Sequence, residues 1–95
     1  MPTAPNLVKP THLQLAERKK VAEQIGYGLL TRLAHAQVWE EGAESLRRKG
    51  VTFEWNYARA EKDSILNVLD RRVGRPLANQ ALSVAMTMAR ERRNW

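Results

Sequence analysis

Two histidines, His12 and His35, are the first residues to test for chemistry. Imidazole is the side chain whose charge changes near neutral pH, and it is a common metal ligand. On a helix, metal ligation wants a companion about one turn away, as in His-x3-His or Glu-x-x-His. His35 has Arg32 three residues before it and Glu40 five residues after it, so neither spacing is met. A satisfied structural histidine is the expectation. A phosphotransfer histidine would need an exposed helical site beside a lysine and a close-packing glycine, which His35-Ala36-Gln37-Val38 does not supply. Glu40, Glu41 and Glu44 cluster beside Trp39. Paired carboxylates serve acid–base catalysis only in an enclosed cleft, and on one helix they are expected to form a solvated charged face. Ser45, Ser64 and Ser83 have no histidine at a readable spacing, and cysteine is absent, which removes thiolate metal sites, cysteine nucleophiles and disulfides. The expectation is a protein that is not an enzyme, with no cofactor, metal or small-molecule substrate.

The stronger chemical signal is charge. The chain of 95 residues carries a formal charge of +6, and arginine supplies eleven of its 16 basic residues. The guanidinium fork suits phosphate and carboxylate alike, and the basic balance allows nucleic acid, an acidic protein or an anionic membrane as partner without choosing among them. The basic residues fall into three groups: Arg47-Arg48-Lys49, Arg71-Arg72 with Arg75, and Arg90, Arg92 and Arg93. Each group closes a predicted helix, where cations compensate the helix dipole. If three helices pack up-down-up, Arg47, Arg48, Lys49, Arg90, Arg92 and Arg93 gather at one pole. Six like charges within a Debye length of about 8–10 Å repel unless an anion meets them, and phosphate backbone is one such anion. These six are the candidate nucleic-acid contacts.

The elements that must hold these residues are helical. Ala22, Ile25, Leu29, Arg32, Ala36, Trp39, Ala43 and Leu46 recur at steps of three and four, the pattern of one helix face. Thr11 and Gln14 form a capping box, and Gly50 stands where a helix C-terminus is expected. One long helix over about 11–49 is therefore predicted, on the order of 55–60 Å long. Gly26-Tyr27-Gly28 lies inside it and reads either as a close approach by a neighbouring helix or as a bend; close approach is preferred, because Leu29, Leu30 and Leu33 follow at once. Residues 1–10, with Pro2, Pro5 and Pro10, read as a flexible arm, leaving 11–95 as a single helical domain.

Val51, Phe53, Trp55 and Tyr57 alternate with polar residues. This short aromatic connector reads as a strap, as the start of the next helix capped by Thr52, or as a strand paired between copies. A helical hairpin follows, about 56–73 and 76–93, with Gly74 between its arms and Pro76 in the first turn of the second. A helix-turn-helix is not expected there, because residues 77–89 offer alkyl surface where base recognition needs polar side chains. The apolar residues of 77–89 surround that helix almost completely, which implies burial nearly all round. Its burial is expected to need company: a homo-oligomer or a larger assembly.

The fold class is thus all-α. No apolar run approaches the roughly 18 residues of a membrane span, and residues 1–10 lack the apolar core of a signal peptide, so no membrane contact and a cytoplasmic location are expected. Two functions follow. The first is an accessory or regulatory subunit of nucleic-acid-associated machinery, touching phosphates through the basic pole and assembling through its last helix. The alternative is a protein-binding modulator with no nucleic-acid contact, whose interface residues are Phe53, Trp55, Tyr57, Leu77, Ala81, Val84 and Met88.

Overall fold

The computed structural model describes residues 12–93, with the backbone alone for His12, Leu13, Arg92 and Arg93. The 1–10 arm and the Thr11 cap lie outside the described residues. The helices are α1 (His12–Ile25), α2 (Tyr27–Gly42), α3 (Glu44–Arg48), α4 (Phe53–Val73) and α5 (Arg75–Arg93). Among the described residues there is no strand, and the all-α expectation holds.

The 11–49 stretch is helical but not one rod. Gly26 takes φ +94° and ψ 137°, which ends α1 and starts α2. Only glycine adopts this conformation at no steric cost. The preferred reading of Gly26-Tyr27-Gly28 was close approach, and the structure corrects it. A Cβ built at Gly26 or Gly28 would meet nothing within 4 Å, and the chain bends at Gly26. At Ala43, by contrast, the chain stays near helical geometry. The Ala43 amide donates to the Trp39 carbonyl (3.0 Å), and the Arg47 amide donates to that of Ala43 (3.0 Å). Hence α3 is a continuation of α2, and four helices pack together.

Gly50 behaves as expected of a C-terminal glycine. Its φ is +93°, its amide donates to the Arg47 carbonyl (3.0 Å), and the Val51 amide donates to that of Leu46 (2.9 Å), the paired bonds of a Schellman ending. The alternating residues 51–57 turn out to be the start of α4. Thr52 occupies the capping position but makes no side-chain cap bond. A strand between copies is excluded there, because the backbone of Phe53 onward is committed to its own helix.

The helices α2 and α4 run antiparallel. Arg32 reaches Glu61 and Trp39 reaches Glu54, so numbers rise along α2 as they fall along α4. After the corner at Gly74, α5 packs on both α2 and α4. Glu17 and Arg18, adjacent on α1, contact Gln80 and Glu91 on α5. Those two partners are about 16 Å apart along their helix, so α1 lies across α5. The molecule measures 43 × 38 × 18 Å, a slab whose thinnest dimension allows little more than one helix packed on another.

The core joins Val21, Ala22 and Ile25 of α1 to Leu30, Leu33 and Ala34 of α2, Ile65 and Leu69 of α4, and the α5 face of Ala78, Ala81, Val84 and Ala85. Of the Leu29–Arg32–Ala36–Trp39 row that the spacing suggested, Ala36 is buried and Leu29 packs half-buried against the core, whereas Arg32 and Trp39 are exposed. Beside Ala36, the buried residues of α2 are Leu30, Leu33, Ala34, Gln37 and Glu40. The apolar surface of α5 is covered mainly by its own chain. Its outer stripe is Asn79, Ser83, Met86 and Arg90, all exposed. The small side chains face inward, where they let α2 approach, so a second copy is not what encloses them.

Candidate functional site

The seam between α2 and α4 carries the polar and aromatic residues that the core does not use, and it has two rims. On one rim the α4 residues Phe53, Tyr57 and Glu61 recur every four positions and face Trp39 and Arg32 of α2. Phe53 is 67% exposed, Tyr57 56% and Trp39 41%. The rings form a continuous row: Tyr57 lies 6.4 Å from Trp39, stacked, and 4.8 Å from Phe53, tilted. Such contacts suit the ring quadrupoles and hold the row in shape without burying it. The Trp39 indole Nε1 donates to Glu54 Oε2 (3.0 Å). At the end of the row a groove of about 190 Å³ is lined by Arg32, His35, Ala36, Trp39 and Glu61. Arg32 donates to Glu61 across it (3.1 Å).

The other rim is a charged cluster. Glu40, Glu41, Glu44, Arg47, Trp55 and Arg59 line an open groove of about 490 Å³. The Trp55 ring has the Arg47 guanidinium 5.0 Å from its centroid and that of Arg59 at 5.2 Å, within range of cation–π attraction. Glu40 is buried, and its carboxylate accepts from Lys62 Nζ (2.7 Å) and from Arg59 (3.3 Å). Lys62 also donates to Gln37 Oε1 (3.1 Å), and Gln37 Nε2 donates to Glu41 (2.6 Å). The expectation of a solvated acidic face therefore fails at Glu40. Its charge is kept inside the seam by two cations on α4, which no spacing within α2 could reveal. Arg47 donates to Glu44 (3.1 Å), and that hydrogen bond, more than any other cause, holds the Glu44 carboxyl below its ordinary value of 4.5. The same bond raises Arg47. Every cation of this rim already has an anion or a ring, so the cluster joins the helices internally.

The six candidate phosphate contacts divide. Arg47 and Arg48 share Glu44, and Lys49 is exposed beside them. The α3 segment packs on α4. The last turns of α5 lie elsewhere, at a groove shared by Arg18, Thr31, Ala34, His35, Val38, Met88 and Glu91. Arg90 is exposed, and the side chains of Arg92 and Arg93 lie outside the description. The candidate interface residues divide as well. Phe53 and Tyr57 are on the exposed row, and Trp55 is half-buried on the opposite rim. Leu77 and Met88 are half-buried against the core, and Ala81 and Val84 are buried within it. Trp39 completes the row although its spacing read as core.

His35 is exposed, and the description of residues 12–93 contains no group of three His, Cys, Asp or Glu placed to hold a metal ion. No described helix is long and apolar enough to cross a membrane. Comparison with family models, with curated proteins and with solved structures finds no match.

Proposed function

We propose that the chain is a non-enzymatic protein-binding modulator whose contact surface is the Phe53–Tyr57–Trp39 row, and whose partner is an apolar segment of an acidic protein in the cytoplasm. The observation that carries this reading is three large rings exposed together on one edge of a seam. Isolated exposed apolar residues are ordinary, whereas a contiguous patch marks an interaction surface, and Trp and Tyr are the usual anchors of binding energy. The groove beside Trp39 can take one further side chain over Ala36.

Two features favour a protein over nucleic acid. Glu54 and Glu61 border the row, where carboxylates would repel a phosphate backbone that needs cations. Arg47 and Arg48, the core of the proposed phosphate pole, are drawn onto Glu44. The formal charge of +6 then acts mainly by steering an acidic partner, helped by exposed Lys49 just before the row.

A photo-crosslinking residue placed at Tyr57, and separately at Asp63 on another face of α4, tests this in the producing cell. Position 57 should trap one acidic protein that position 63 does not, and Phe53→Ser should abolish the adduct. Equal trapping from both positions, or a nuclease-sensitive adduct from position 57, would overturn the reading; the second outcome would restore the phosphate-binding alternative.

A further inference from the structure

We propose that α1 is an exchangeable arm, and that its seat on α5 and α2 accepts the α1 of a second copy of this chain when the corner at Gly26 straightens. The corner consists of one residue. On its near side the Gly26 amide donates to the Ala22 carbonyl (2.8 Å), and on its far side the Leu30 amide donates to that of Gly26 (3.2 Å). Both flanks therefore already have the i to i−4 pattern of an α-helix. Rotating Gly26 alone from φ +94° to helical values joins α1 and α2 into one helix over 12–42. No neighbour pins the corner: the space a Cβ would fill is open, and Tyr27 beside it is 61% exposed.

The second corner shows why this one is convertible. Gly74 has nearly the same backbone, φ +91° and ψ 158°. Pro76 follows it, however, with its ring 3.9 Å from where a Cβ would stand. Proline within a continuous helix removes a hydrogen bond, clashes with the carbonyl four residues earlier, and biases the preceding residue away from helix. From residue 11 to residue 75 there is no proline. Gly74 is a permanent corner and Gly26 is not.

The occupant is specified by what α1 leaves behind. When α1 departs, Val21, Ala22 and Ile25 leave the core, Glu91 loses Arg18, and Gln80 loses Glu17. The α1 of another copy replaces all of these at once, so two chains that trade α1 regain every contact and change only the two corners. Such exchange through a hinge is a low-cost route to a dimer.

Substitution at Gly26 acts on both states in the same direction, because alanine is strained at positive φ and favoured over glycine inside a helix. Gly26→Ala should lower the concentration at which monomer and dimer are equal by at least about a hundredfold relative to the native chain, read by light scattering along a dilution series. Gly28→Ala, already within α2 and facing open space, should leave that concentration unchanged. Arg18→Glu and Glu91→Arg, on the native glycine, identify the seat. Each variant alone has like charges at the contact, whereas a swapped heterodimer of the two restores both opposite-charge pairs. Mixing them should give heterodimer at concentrations where each alone is monomeric. A monomeric Gly26→Ala, a Gly28→Ala that dimerises equally, or no heterodimer on mixing overturns the proposal, and the mixing result decides by itself if Gly26→Ala does not fold.

Discussion

Lys62 shows how much one side chain contributes here. Its ammonium is the shortest contact of the buried Glu40 carboxylate and also reaches Gln37. Removing one partner of a buried pair leaves the other desolvated and under-compensated, which costs more than the pair itself contributes. Arg59 remains as a second cation, so Lys62→Met should destabilise by roughly 1–3 kcal/mol rather than the 3–5 of an isolated buried pair. Adding Glu40→Gln should return part of that loss, which a double-mutant cycle in denaturant measures. Glu44 behaves differently because it is at the surface. Its carboxyl is held below 4.5 by the Arg47 hydrogen bond, so the folded state binds a proton less readily than the unfolded chain. Its contribution is therefore present above the ordinary carboxylate value and lost as pH falls through the lowered one. Glu44→Gln should flatten the stability–pH curve in that acid window and leave its shape above pH 5 unchanged. A steeper acid limb in the variant would contradict the assignment.

At the scale of the element, the ends of the helices differ in what holds them. Thr52 stands where a threonine cap normally accepts a backbone amide, yet it makes no such bond. Thr52→Ala should cost under about 0.5 kcal/mol, below the usual ~1 kcal/mol of a lost cap. At Gly74 the positive φ is required, and Gly74→Ala should cost about 1–2 kcal/mol through backbone strain. Thermal melts of the two variants rank them directly, and the reverse order would mean that α4 is held by its start rather than by its corner. The two corners also mark how far local pattern goes. Gly74 was legible because basic residues precede it and Pro76 follows it. Gly26 was not, because an apolar spacing of three and four continues through it and no proline follows, so nothing local distinguishes a straight helix from a bent one.

For the whole molecule, the 18 Å dimension explains the division between core and surface. A slab this thin has one interior plane, which α2, α4 and α5 share through mutual contact. Leu33 is fully buried in that plane, and Leu33→Ala should cost roughly 2–5 kcal/mol, seen as a lower denaturation midpoint with loss of cooperative melting for all helices together. Alanines along α5 fill the rest of the plane, so the chain encloses Ala81 and Val84 without help. Among the described residues, no helix covers the rings of Phe53, Tyr57 and Trp39.

Helix content, the break between α4 and α5 at Gly74 and the Gly50 ending were decided by the sequence. Those features depend on bonds and contacts within about four residues, which spacing and residue type record directly. The tertiary structure alone decided the corner at Gly26, the inward face of α2, the burial of Glu40 between Lys62 and Arg59, and the exposure of the aromatic row. Each of these depends on which distant residue arrives beside it. An aromatic at helical spacing is the same in sequence whether a neighbouring helix covers it or solvent does, because burial is a property of the neighbour.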